Sequence, residues 1–234
     1  MRLVVFGANG PTGRQTTEQA VAAGHEVTAV TRHPDSFPLS HPRLRVEEAD
    51  VLDAAAVEHV VKGQDAVIST LGVPYGRAPV TVYSAGATHI SRAMTRHRVD
   101  RLVCVTSTIL FDVPAPGEGF FFSRVLEPFF SRVVGRTVYD DMRRMEDVVR
   151  TSGLAWTVIR PSGLFDAAEV SDYEIAPARL PGRYTSRADL AHALLSTATA
   201  TATGDGHVHD FLDVRTTQGT PTMLGLIKKE AFHK

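Results

Sequence analysis

Cysteine is all but missing from this chain. Cys104 alone among 234 residues excludes an intramolecular disulfide, and its setting in Leu102-Val103-Cys104-Val105 reads as a thiol in a buried strand. Long apolar runs are missing too. No uninterrupted stretch approaches the roughly 20 residues that a membrane-spanning helix needs, and the most apolar one, Phe120 to Phe130, is broken by Arg124, Glu127 and Pro128. Met1–Phe6 is too short an apolar run for a signal peptide. Nor is there an excess of charge: 25 Lys and Arg stand against 26 Asp and Glu, which leaves no electrostatic footprint for nucleic acid or an anionic membrane. Arg143-Arg144 and Lys228-Lys229 are isolated basic pairs, too few to change that. These absences lead us to expect a cytoplasmic protein whose partner is a small-molecule substrate, with no nucleic acid and no membrane.

What is present has a rhythm. Short β-branched runs, Leu3–Phe6, Glu26–Thr31, Leu44–Glu47, Ala66–Ser69, Leu102–Thr106 and Thr157–Ile159, read as strands. Between them Thr12–Ala23, Ala54–Val61, Val80–Arg96 and Tyr139–Ser152 read as helices. The alternation implies an α/β fold, a doubly wound parallel sheet with helices on both faces, whose ligand lies beyond the carboxyl ends of the strands. After Ile159 the rhythm loosens. Residues 161–185, interrupted by Pro and Gly, read as loop; a helix Arg187–Thr197 and a strand His207–Val214 follow. No linker separates a second unit. The expectation is one domain over residues 1–234, with residues 161–234 forming a small substrate-side appendage. The alternating Thr and Ala from Thr197 to Thr203 suit a frayed helix end. Thr220–Glu230 resembles a short amphipathic helix that docks on its own domain or on a second copy, so both monomer and homodimer stay open.

The strongest chemical signal is Gly7-Ala8-Asn9-Gly10-Pro11-Thr12-Gly13 at the end of the first strand. Glycines at this spacing allow a tight turn, let backbone approach a pyrophosphate and bring helix close to strand. The helix amino end then offers N–H groups and a positive dipole to phosphate. A dinucleotide is the expected ligand. The second strand ends in Thr31-Arg32-His33-Pro34, with no carboxylate before Asp35. An acidic residue there would hold the ribose hydroxyl of NAD, whereas Arg32 forks onto a 2′-phosphate. NADP(H) is favoured as cofactor. Asp50-Val51 falls where a carboxylate can accept from the adenine amino group, although a helix-capping role competes and Asp53 suits that better. Thr70-Leu71-Gly72 lets backbone run near the adenosine ribose.

These segments, together with Ser152–Pro161, resemble the atypical short-chain dehydrogenase/reductases, the NmrA-like NAD(P)-binding proteins. Thr106–Asp112 and Asp140–Met145 look like the biliverdin-IXβ reductase and flavin reductase branch. The resemblance implies a Rossmann-type domain in which Gly7, Asn9, Gly10, Pro11, Thr12 and Gly13 hold the pyrophosphate. It likewise implies Arg32 at the 2′-phosphate, Asp50 and Val51 at the adenine, and Thr106 and Pro161 beside the nicotinamide. Ser107 then occupies the position of the family's active-site serine. One departure matters. Short-chain dehydrogenases use Tyr-x-x-x-Lys, and here Tyr139 is followed by Arg143. Arginine supplies charge but does not exchange protons near neutral pH, and Tyr139 falls at a helix start. Tyr139 is therefore either catalytic or an ordinary helix-start aromatic.

Two further features divide. Phe111, Phe120, Phe121, Phe122, Phe129 and Phe130 form either an apolar wall for a flat substrate or a helix packed on the core. His207 and His209 face one side of the expected strand but have no third ligand at recognisable spacing, so no metal site is expected. The leading expectation is an NADPH-dependent oxidoreductase transferring hydride to a planar electron-poor acceptor such as a flavin, quinone or tetrapyrrole. The alternative is a non-catalytic NADP(H)-binding redox sensor. An isomerase or epimerase would want the missing Tyr/Lys pair.

Overall fold

Most of the β-branched runs become strands with both faces covered, so that continuous apolar sequence is buried rather than exposed, whereas Leu44–Glu48 at the sheet edge stays partly exposed. In the computed structural model, which describes residues 1–76, 78–111, 113, 115–117, 135–200 and 207–221, β1 (Arg2–Phe6), β2 (Glu26–Thr31), β3 (Leu44–Glu48), β4 (Ala66–Ser69), β5 (Arg101–Val105) and β6 (Ala155–Pro161) follow the expected bounds within two residues. With β7 (Gly163–Phe165), β8 (Tyr173–Ala176), β9 (Tyr184–Ser186) and β10 (Asp210–Thr216) they make two sheets. The main one has the order β3-β2-β1-β4-β5-β6-β10-β8, and β7 pairs with β9 separately. Every main-sheet pairing is parallel except that of β8 with β10. The order reverses between β1 and β4, which opens a crevice at their carboxyl ends.

Helices α1 (Pro11–Ala22), α2 (Ala54–Val61), α3 (Val82–His97), α4 (Arg136–Arg150) and α5 (Arg187–Thr199) cover the two faces. Alternation along β1 divides the core: Val4 and Phe6 pack with Val57 of α2, Ile90 of α3 and Met145 of α4. Leu3 and Val5 pack with Ala20 of α1 and Leu190 of α5. Cys104 lies in this interior, where burial pushes its thiol up to about 12, helped by the nearby Glu146 charge. It is a packing residue and not a nucleophile. No helix among the described residues is long and apolar enough to cross a membrane.

Three expectations need correction. Residues 161–185 are not all loop, since they contribute β7, β8 and β9. Tyr173-Glu174-Ile175-Ala176 is too short to declare itself, and its antiparallel pairing with β10 makes it a strand. The last strand starts at Asp210, because His207 and His209 stand at φ 42° and 64° in the turn before it. His209 instead tilts against Trp156 and bonds the Leu154 carbonyl at 3.0 Å through Nε2. Helix α3 starts at Val82, two residues later than expected. Its own Thr81 makes no cap; Asp141 of α4, fully buried, accepts from Tyr83 N at 2.9 Å and Ser84 N at 3.3 Å. Ser84 Oγ and Arg144 also bond this carboxylate. Of the Phe-rich stretch only Phe111 belongs to the described residues, and the expected helix after Pro221 lies outside them.

A cap supplied from another helix ties two elements at once. Asp141→Ala strands several buried donors, so it should cost about 2 kcal/mol. Urea unfolding should show this as a lowered midpoint with an unchanged slope.

Candidate functional site

Two of the three loop glycines are there for backbone proximity. Gly7 has φ +74°, and a Cβ on it would lie 2.7 Å from the Thr70 carbonyl oxygen. A Cβ on Gly13 would lie 2.3 Å from the Gly7 oxygen. Gly10 differs. Its φ of −71° suits any residue, and the nearest atom to a Cβ would be the Gly7 oxygen at 3.3 Å. Helix α1 then begins with Pro11, no side chain caps it, and its first turn holds no acid. An uncapped amino end beside bare backbone fits an anion such as a pyrophosphate. Thr70 braces the turn by donating from Oγ1 to the Phe6 oxygen at 2.9 Å. Asn9 holds it from the other side, accepting from Arg14 Nη2 at 2.7 Å and donating to Ser36 Oγ at 3.1 Å.

The turn opens into a cavity of about 1160 Å³ along the carboxyl ends of the parallel strands. Every site residue expected from the sequence lines it except Gly13 and Arg143. Gly13 is buried beneath the turn as its helix–strand spacer. Arg143 is exposed and bonds Asp140 Oδ1 at 3.0 Å, which takes its guanidinium off the cavity wall. At the β2 end of the cavity Arg32 and His33 are exposed. Asp50 closes its own turn by accepting from Leu52 N at 2.9 Å. Asp53 caps α2 through Ala55 N and Ala56 N, as the competing sequence reading had it. Val51 is wedged against Gly86 of α3, where a Cβ would meet it at 2.8 Å.

Beyond β5 the polar groups differ in what they have left to give. Thr106 is buried and donates its hydroxyl proton to Glu146 Oε1 at 2.7 Å. Glu146 in turn holds Arg160 in a fork, Nε at 3.0 Å and Nη2 at 2.6 Å. Ser107 only accepts, from Ile109 N at 3.3 Å, so its own proton can be donated into the cavity. Tyr139 is buried in the first turn of α4, with its hydroxyl 2.8 Å from that of Tyr75. The ring of Tyr83, whose hydroxyl accepts from Val73 N at 3.2 Å, holds the same loop in place.

Sequence reasoning missed Tyr75 and Tyr83, and it missed a group of arginines. Arg179, Arg183, Arg187 and Arg215 line the cavity from the appendage. Arg179-x-x-x-Arg183-x-x-x-Arg187 is a regular basic spacing that a charge pass could have found. Arg215 is 2% exposed and lies 3.0 Å from Asp213. Burial pushes the Asp213 carboxyl up to about 6 although Arg215 pulls it down. Among the described residues no group of three His, Cys, Asp or Glu could hold a metal.

The fold recurs in solved structures. A short-chain dehydrogenase/reductase from Veillonella parvula, solved in complex with NADP, superposes with a TM-score of 0.75 at 18% identity, covering 93% of this chain and 95% of that one. The anaerobillin reductase ChuY from Escherichia coli superposes with a TM-score of 0.71 at 22% identity, covering 95% and 100%. An uncharacterised protein of Mycobacterium tuberculosis is 34% identical over 108 residues, 46% of this chain and 12% of the relative's length. This chain therefore matches only a small part of that relative. The family of NAD(P)H-binding proteins matches residues 7–201. That match runs from the glycine turn to the end of α5, and the chain belongs to the NAD(P)H-binding family.

Proposed function

We propose that the chain is an NADPH-dependent reductase of the biliverdin-IXβ and flavin reductase-like branch, passing hydride to a planar electron-poor acceptor such as a flavin, quinone or tetrapyrrole. One observation carries this reading. A single cavity joins a glycine turn suited to pyrophosphate with a serine hydroxyl whose proton is uncommitted. The likeness of the fold to an anaerobillin reductase and to an NADP complex agrees with it.

NADPH, when bound, supplies the hydride. The chain's part is to bind, align and protonate. Backbone around Gly10 and the amino end of α1 hold the pyrophosphate, and Arg32 with His33 hold the 2′-phosphate. Asp50 and Val51 bound the adenine, and the backbone of Leu71 and Gly72 follows the ribose. Pro161 at the end of β6 and the Tyr75–Tyr139 pair bound the reacting end and exclude water. Ser107 Oγ donates to the carboxamide or to the acceptor as charge develops on it. A second reading, a non-catalytic NADP(H) sensor, draws on Arg143, which stands where a lysine is expected and bonds Asp140. Oxidation of NADPH against a panel of flavins, quinones and tetrapyrroles separates the two. Turnover supports the reductase, and tight cofactor binding without turnover supports the sensor.

Arg32→Ala should weaken NADPH by roughly tenfold or more and leave NADH nearly unchanged, since one charge-assisted hydrogen bond is lost. Calorimetry showing equal losses for both cofactors would contradict the assignment.

The glycines should separate by role. Gly10→Val should leave the fold largely intact, with only a small drop in melting temperature from its contact with the Gly7 oxygen, and abolish cofactor binding. Gly13→Val should lower the melting temperature steeply, because its side chain meets backbone.

Ser107→Ala should lower kcat by ~10²-fold if the donated bond tightens in the transition state. Tyr139→Phe should cost less, and the reverse ranking would restore the tyrosine mechanism.

A further inference from the structure

We infer that Tyr75 is a specificity-determining residue of the reacting end: its ring is a platform for the flat face of the acceptor, and Tyr139 holds that ring in place. Calling the ligand the acceptor rests on the reductase reading. Tyr75 lines the cavity, yet it is 60% exposed, more than any other large hydrophobic side chain among the described residues. An aromatic ring kept in water at a cavity wall is surface that a ligand covers on binding. A planar ligand gains most from it, because stacking adds to the burial of area.

Exposure here does not mean freedom. The Tyr75 hydroxyl lies 2.8 Å from that of Tyr139, and the two rings stand 6.0 Å apart, tilted by 51°. On either side of Tyr75 the chain is tied to a helix. Val73 N donates to the Tyr83 hydroxyl of α3 at 3.2 Å, and the Gly76 carbonyl accepts from Thr137 Oγ1 of α4 at 3.0 Å. A ring fixed at its hydroxyl and at both flanks loses little freedom when a ligand covers it.

Gly135 serves the same pair. Its φ of −108° suits any residue, so conformation does not call for glycine. Space does: a Cβ there would lie 2.3 Å from Tyr139 Cε2 and 3.0 Å from Tyr75 Cε1. The start of α4 is bare so that both rings can approach it, and glycine stands where a capping side chain would otherwise be expected.

The surroundings suit an uncharged ring system. Val73 and Pro74 of the same loop line the cavity, as do Val138 and Met142 of α4. Among the described residues, neither this loop nor α4 contributes a charged side chain to the lining. The loop leaves the sheet from β4, which pairs with β5, and β5 leads into Ser107. A flat ligand on Tyr75 therefore shares the cavity with the donor that the reductase reading needs.

The test titrates two uncharged flat probes, riboflavin and menadione, calorimetrically into the protein saturated with NADP⁺. Tyr75→Ala should weaken the tighter-binding probe about fivefold, the size of one aromatic pair. Tyr75→Phe, which keeps the ring and gives up the hydroxyl bond, should lose less. Tyr75→Leu, apolar but without a π face, should bind more weakly than Tyr75→Phe. Tyr139→Phe leaves Tyr75 whole and should lose as much as Tyr75→Phe. The two Phe changes together should lose no more than either alone, as expected of a pair acting through one bond. Affinity for NADP⁺ should stay within about twofold of wild type in every variant. Binding of neither probe to the wild type, or a Tyr75→Leu protein that matches Tyr75→Phe, overturns the inference. Additive losses from the two Phe changes overturn the part given to Tyr139. A matching loss of NADP⁺ affinity assigns the ring to the cofactor and overturns the inference too. Failure of both probes to oxidise NADPH would count against the reductase reading alone, because the binding comparison needs no turnover.

Discussion

The site depends on how closely β1, β4 and α1 approach one another at the glycine turn. Gly7 sits in a left-handed conformation with the Thr70 carbonyl where a Cβ would be, and Gly13 presses on the Gly7 oxygen. Neither contact involves a ligand. They set the height at which the amino end of α1 emerges beside the sheet, and hence where its N–H groups point. Thr70 then crosses from the end of β4 to the end of β1, bonding the Phe6 oxygen by both its N–H and its hydroxyl at 2.9 Å. The crevice at the switch point is a product of these short distances, and Gly10 is the loop glycine where a Cβ would press least, 3.3 Å from the Gly7 oxygen.

A second constraint lies under the other half of the cavity. Glu146 and Arg160 are both nearly inaccessible, and desolvating two charges is costly unless the geometry satisfies them. Here it does. The guanidinium forks onto the carboxylate, Thr106 adds a hydroxyl, and the rings of Phe111 and Phe211 flank the arginine at 4.6 and 4.2 Å. The pair clamps α4 to β6 and holds the start of the Thr106–Ser107 turn. The clamp consumes the Thr106 proton and leaves that of Ser107. One turn along α4 from Tyr139, Arg143 is engaged by Asp140 on the exposed face.

What the sequence made legible was local and periodic. The strands, the helices and the glycine turn each carry their signal within a dozen residues, and their bounds came out close. The parts not legible are made by distant partners. Helix α3 begins where it does because of a carboxylate 58 residues away on α4. Strand β8 exists because β10 pairs with it, and four residues between turns have no pattern of their own. The pairing of Tyr75 with Tyr139 joins residues 64 apart that no spacing rule connects. The arginines of the appendage were visible as charge but not as neighbours of one cavity, since bringing Arg183 and Arg215 to it takes the β7–β9 and β8–β10 pairings.

This division has a chemical counterpart in the groups that line the cavity. At the glycine turn the groups are backbone N–H donors fixed by the sheet, and a Cβ could not enter at Gly7 or Gly13 without moving main chain. Such a site is built into the fold and can serve any member that keeps the fold. At the appendage the groups are long side chains, Arg179 and Arg183 in the segment before β9, Arg187 at the start of α5 and Arg215 on β10. Fold and function separate along the same line. The parallel strands carry what the NAD(P)H-binding family has in common, whereas the segment from Ser162 to Arg187 adds short strands and turns at one end of the cavity.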